Sequence, residues 1–221
     1  MVGRPEWLAD RSRHVAAVID FMLIQWEGRA RLIPDRVGIF GFSAGATTAL
    51  IAIGGVPDLA AVPAHCARVR EFVCTLMARP GTRGGFGPPS LRARPPHRRG
   101  RRRRAGPGLC VRAVRLANVR VPVQLWAGAA DETVPYETNA GVVRQLPRGP
   151  VDFRRVAGAV HLSFLAPCGP ESPPQICQDG EGFDRPAFHR ELNRSMIDFF
   201  RRHLVESARD LHRGRDRVDP S

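Results

Sequence analysis

The chain reads as an α/β protein, a mostly parallel sheet flanked by helices. Three observations lead there. An uncharged run, "VGIFGFSAGATTALIAI" over residues 37–53, passes from a short apolar strand through Gly41-Phe42-Ser43-Ala44-Gly45 into an apolar helix. Strand-like and helix-like segments alternate along the chain, the pattern of βα units around a parallel sheet. Hydrophobic residues make up 43% of 221 positions, enough to bury one core of ordinary size.

The elements follow in order. Asp10 can cap a helix, and Val15, Val18, Ile19, Met22, Leu23 and Trp26 then form an apolar stripe at helical spacing. Pro34-Asp35 is a turn, 36–40 a short buried strand, 44–53 a helix and 64–77 a further helix. No helical or strand period survives between 80 and 115, where Pro88-Pro89, Pro95-Pro96 and "RRGRRRR" stand. Such composition buries too little apolar area to offset chain entropy, so disorder is the expectation. Strands are expected again at 121–127 and 151–156, with a helix over 137–145 between them. A closing helix over 186–204 carries Phe188, Leu192, Met196, Phe199, Phe200 and Leu204 on one side. The domain pattern is therefore a first part over 1–79, an Arg/Pro/Gly-rich segment over 80–115, a second part over 116–206 and a polar tail over 207–221.

The formal charge of +13 points at first to a polyanion partner. All 34 basic residues are arginine, however, and the 13 between positions 79 and 120 meet no acidic residue there. The other 21 balance 21 aspartates and glutamates. The excess is one local run, and Phe86 is the only aromatic within it, so base stacking has no support and no specific nucleic-acid partner is expected. Residues 37–57 lack charge over a length that could span a bilayer, but glycines at 38, 41, 45, 54 and 55 break the run, and no membrane span is expected. No apolar leader follows Met1, so the cytoplasm is the default compartment. Cys66 and Cys74 are close in sequence, as are Cys168 and Cys177, while Cys110 stands alone. Spacing leaves two readings open: two local disulfides, which would imply export, or four free thiols.

A serine between two glycines, where a strand ends and a helix begins, has a chemical use. A nucleophilic serine needs an exposed hydroxyl, a base and donors for an oxyanion. A sharp strand-to-helix turn lifts Ser43 clear of the sheet, with Gly41 and Gly45 as the small residues the turn requires and Phe42 between. The helix N-terminus adds positive potential and the Ala44 N–H. An acid and then a histidine should follow in the chain. Asp131 lies just past the end of the 121–127 strand, where sites form in open α/β sheets. His161 lies five residues past the strand ending at Val156. Ser43 would attack, His161 would act as general base and then acid, and Asp131 would orient the imidazole. Asp35, Glu132 and Asp152 are the fallback acids.

"RVGIFGFSAGATTAL", "VPVQLWAGAADETVPYETNA" and "VAGAVHLSFLAPC" resemble the α/β-hydrolase fold, and within it the bacterial dienelactone hydrolases, themselves similar to platelet-activating-factor acetylhydrolases. The resemblance covers about 10–204 with one gap. It implies hydrolysis of a small ester, lactone or similar acyl bond through an acyl-enzyme. Neither metal-ligand spacing nor a nucleotide motif is present, so no metal or cofactor is implied. Two departures matter. Relatives place several strands before the first helix, and a loop there supplies a second oxyanion N–H; this chain is expected to lack those strands, leaving the strand near Val37 with an open apolar edge. A catalytically inactive remnant is therefore the alternative reading. Relatives also carry an ordinary strand of small apolar residues where 80–115 stands. Codons for Ala-Val-Val-Ala read in a shifted frame yield arginines, so we expect this segment to arise between two compensating indels, which resequencing would check.

Overall fold

The computed structural model describes residues 7–58, 61–77, 102–104, 114–146 and 148–206, and these form a mixed α/β chain. In order they are α1 (Trp7–Ile24), β1 (Arg36–Gly38), α2 (Ala44–Ala52), β2 (Val56–Pro57), α3 (Ala61–Cys66), α4 (Phe72–Met77), β3 (Arg102–Arg104), β4 (Val114–Arg115), β5 (Val123–Gly128), α5 (Ala140–Arg144), β6 (Val151–Val156) and α6 (Arg185–Phe200), with short 3-10 turns between. Helix α1 starts at Trp7, so Asp10 lies in its first turn and pairs with Arg13. It packs on α2, where the Ser12 hydroxyl donates to the Thr48 carbonyl. Val15, Ile19, Met22, Leu23 and Trp26 of the expected stripe are half-buried, whereas Val18 faces outward.

The expected sheet is realised in pieces. β1 pairs with β3 and β5 with β6, both parallel, while β2 and β4 pair antiparallel. Among the described residues these are three separate ladders. The strands β1 to β4 span two or three residues each.

Strand β5 is buried along nearly its whole length, and its alternation divides the core. Val123 and Leu125 face one way, against Ala49 and Leu50 of α2, Ile53 just past its end, and Ala140 and Val143 of α5. Trp126 faces the other way, against Phe188 and Leu192 of α6. Gln124 shares that second face and is 2% exposed. Its amide donates to Asp152 and to Ser195, each at 3.0 Å, and its oxygen accepts the Trp126 indole N–H at 3.1 Å. Gln124→Leu would leave that buried indole donor without a partner, at a cost of about 1–3 kcal/mol. Thermal unfolding should show a loss of about 2–12 °C.

Several expectations need correction. The helix expected over 137–145 is a 3-10 turn, Tyr136–Thr138, followed by the short α5. The single helix over 64–77 is two short ones, because Cys66 and Cys74 are joined with their Cα atoms 5.4 Å apart. Eight residues of straight helix would separate them by about 12 Å, so the bond and a continuous helix exclude each other. The bend also encloses a His65–Glu71 contact of 3.1 Å between two buried side chains. The segment over 80–115, expected to be disordered, contributes β3 beside β1 and β4 beside β2, and Val114 is already part of the core. A strand ladder is made by backbone N–H and C=O groups, which arginine offers as well as valine does. The rest of that segment lies outside the described residues, as do Cys110 and the tail 207–221. Among the described residues no helix is long and apolar enough to cross a membrane. The uncharged run 37–57 breaks into β1, a turn, α2 and β2.

Candidate active site

The elbow is built from the backbone upward. Ser43 has φ 54° and ψ −127°, and it is the one non-glycine residue with positive φ among the described residues. Such a conformation costs free energy for an L-residue and persists only where its surroundings enforce it. Phe42 O accepts the Gly45 N–H at 2.8 Å and Ser43 O accepts the Ala46 N–H at 3.0 Å, so α2 starts at once. Gly41 is required: a Cβ there would sit 2.3 Å from the Gly45 carbonyl oxygen. Gly45 is not. A Cβ on it meets no described atom within 4 Å beyond its chain neighbours and its own helix's backbone. The expectation that the turn needs small residues on both sides of the serine is corrected to one side.

A serine at a helix N-cap ordinarily spends its hydroxyl on a backbone N–H. Ser43 makes no such cap bond. Its Oγ lies 3.0 Å from Nε2 of His161 instead. Nδ1 of the same ring is 2.8 Å from Oδ2 of Asp131. A carboxylate can only accept, so Nδ1 carries the proton and Nε2 presents its lone pair to the serine hydroxyl. The other Asp131 oxygen accepts the Val134 N–H at 2.8 Å, which fixes the carboxylate in its loop. His161 and Asp131 are 12% and 9% exposed, dry enough to strengthen the bond between them.

Strand geometry explains the meeting. β5 and β6 pair in parallel from Val123 beside Val151 to Gly128 beside Val156, so both end at one level. Asp131 and His161 each leave from such an end. The loops are held together where Ala130 N–H donates to Ala159 O at 3.1 Å. A Cβ on Gly128 would stand 2.4 Å from that carbonyl, so glycine permits the approach. The Phe42 ring lies 4.9 Å from the imidazole and 6.1 Å from Phe164, covering one face of the histidine. Behind the imidazole a cleft of about 30 Å³, bounded by Phe42, Trp126, Val134 and Phe164 among others, has room for about one or two waters.

The sequence reading missed a second layer. His161 opens a 3-10 turn over His161–Phe164, and Ser163 within it is fully buried. The Ser163 hydroxyl accepts the Val160 N–H at 3.0 Å and donates to Asp179. Arg185 grips both oxygens of Asp179 at 2.8 and 2.9 Å, and His189 Nε2 donates to the Ser163 carbonyl at 3.0 Å. Burial pushes the Asp179 carboxyl pKa up, but hydrogen bonds from Arg185 and Ser163 and the charges of Arg185 and His189 outweigh it, leaving the pKa below its ordinary value. The local clue was "CQDGEGFDR", an aspartate placed shortly before the arginine of a helix start. A disulfide joins Cys168 to Cys177 across the intervening loop, so both close cysteine pairs are bonded.

Of the fallback acids, Asp152 is engaged with Gln124 rather than with the imidazole. Ala44 is the first residue of α2, so its N–H has no intrahelical acceptor and lies beside the Ser43 hydroxyl. Among the described residues no group of three or more histidines, cysteines, aspartates and glutamates has the spacing to hold a metal ion. No protein-family model matches the chain, and no curated protein matches it in sequence.

Proposed function

We propose that this chain is a serine hydrolase with a partial α/β-hydrolase fold, acting on a small ester, lactone or similar acyl bond. The observation that carries the reading is the His161 imidazole, which touches Ser43 at 3.0 Å on one nitrogen and Asp131 at 2.8 Å on the other. Ser43 is held at a strained φ of 54° with its hydroxyl unused for capping, the arrangement an activated nucleophile needs.

The steps follow from the contacts. Ser43 Oγ attacks the acyl carbon while its proton passes to His161 Nε2. The carbonyl oxygen gains the negative charge, and the Ala44 N–H at the start of α2 is one donor to it, worth about 10²–10³ in rate. The imidazolium is stabilised by Asp131, which keeps its charge. Collapse breaks the acyl–oxygen bond, and His161 gives its proton to the leaving alcohol. Water then attacks the acyl-enzyme, losing its proton to His161, and the acid and free Ser43 are released.

A fluorophosphonate probe followed by peptide mass spectrometry tests this directly. Label is expected on Ser43, with none on the Ser43→Ala variant, and the wild-type chain should hydrolyse a short p-nitrophenyl ester. A folded wild-type chain that takes no label and turns over no ester would sink the proposal.

A further inference from the structure

The His161 turn is a single 3-10 turn, an element with poor hydrogen-bond geometry of its own. Something outside it must hold it. Ser163 closes the turn in two ways: its N–H donates to the Val160 carbonyl at 3.2 Å, and its hydroxyl accepts the Val160 N–H at 3.0 Å. A hydroxyl has one proton, and where that proton points decides which lone pair faces Val160. The proton goes to Asp179. Asp179 cannot swing away, because Arg185 holds both of its oxygens in a fork-to-fork pair. Arg185 is the first residue of α6 and 4% exposed, so the clamp is anchored in the rigid packing of that helix on β5. One helical turn further along, His189 fixes the Ser163 carbonyl. A chain of buried contacts thus runs from α6 through Arg185, Asp179 and Ser163 to the backbone on either side of His161.

We propose that Asp179, clamped by Arg185, is the positioning residue for the His161 imidazole, acting through the Ser163 hydroxyl. Its kinetic consequence rests on the hydrolase reading, while its structural consequence does not. Asparagine at 179 keeps the size, but its N–H₂ opposes Arg185 Nε when it takes the Oδ2 place, and opposes both Arg185 and the Ser163 proton when it takes the Oδ1 place, so either choice breaks the fork. Residue 179 is then no longer held at both ends, the Ser163 hydroxyl loses a fixed acceptor, and Nε2 drifts from the Ser43 oxygen. A misplacement of about 1 Å costs up to about 10²-fold in rate.

The experiment compares wild type with Asp179→Asn, Ser163→Ala, the double variant and Val143→Ala. Val143 is fully buried on α5, away from the turn, and serves as a destabilised control. Two readouts are taken: kcat and KM on p-nitrophenyl acetate, and the NMR line of the His161 Nδ1 proton held by Asp131. Asp179→Asn and Ser163→Ala should each lower kcat about 10- to 100-fold with KM changed less than about twofold. Both should broaden or shift the His161 line, which Val143→Ala should leave in place. The double variant should lose no more than the worse single one, because both changes cut the same relay. An unmoved line with unchanged kcat, losses that multiply in the double variant, or equal damage from Val143→Ala would each overturn the positioning role. Should Asp179→Asn fail to fold, Ser163→Ala still decides, since it leaves the Asp179–Arg185 pair intact. If the wild-type chain shows no turnover, the hydrolase reading fails by itself, and the NMR line alone then supports or overturns the positioning role.

Discussion

Asp131→Asn should lower kcat by about 10⁴-fold while leaving the thermal midpoint nearly unchanged. The size of the effect comes from which side of the new amide faces the histidine. One Asp131 oxygen accepts the Val134 N–H at 2.8 Å and the other accepts from His161 Nδ1 at 2.8 Å. Asparagine has one oxygen and one N–H₂. Placing the N–H₂ against the Val134 N–H sets two donors face to face, so the oxygen stays there and the N–H₂ turns to the imidazole. Nδ1 must then accept, and the ring proton moves to Nε2. In that tautomer the histidine donates to Ser43 and cannot take its proton. The fold keeps its Asx-type contact with Val134, which is why stability should hold. Steady-state kinetics on a short p-nitrophenyl ester with a parallel melting curve makes the check. A loss below about tenfold would reduce Asp131 to a loop-shaping residue.

The second large effect separates two glycines that look equivalent in the sequence. At Gly41 an added Cβ would lie 2.3 Å from Gly45 O, 2.4 Å from Gly45 C and 2.7 Å from Ala46 N. All three are backbone atoms in the first turn of α2, and none can rotate aside as a flexible side chain could. Helix α2 must move off β1, and Ser43 sits on the hinge between them. Gly41→Ala is therefore expected to cost about 1–3 kcal/mol or more, a loss of about 2–4 °C per kcal/mol for a chain this size, and to abolish labelling of Ser43. Gly45→Ala should do the reverse. It adds a methyl group into open space near the start of a helix and removes some of the chain entropy lost on folding, a gain of about 0.5–1 kcal/mol. Differential scanning calorimetry on the two variants gives the sign of each. Equal losses would show that α2 starts differently from the geometry above.

Some of this was legible in the linear chain. The 37–53 run announced strand, elbow and helix, because its uncharged apolar residues are interrupted by glycines where the chain must turn. β6 emerges at 151–156 as read, and β5 within two residues. The order Ser43, Asp131, His161 was readable too, since parallel strands put their C-terminal ends on one edge and loops there share a site. Other features left no such trace. The break between α3 and α4 is imposed by a cystine whose partners no spacing could pair with certainty. β3 is three arginines, a composition that points away from strand, made to pair by the backbone edge of β1. Ser163, Asp179 and Arg185 read as ordinary polar loop and helix-start residues until burial makes their mutual bonds obligatory.

By itself the amino-acid order determined the main strands and helices outside 64–77 and 80–115, and the tight turn around Ser43. All of these depend on neighbours a few positions apart. Tertiary structure alone decided that an imidazole 118 residues beyond the serine reaches it at 3.0 Å, that a Cβ at Gly41 but not at Gly45 would meet the backbone of α2, and that α6 contacts the histidine turn. Those are distances between segments remote in sequence, and they come into being only when packing brings the segments within a few ångströms and burial leaves each polar group no partner but the other.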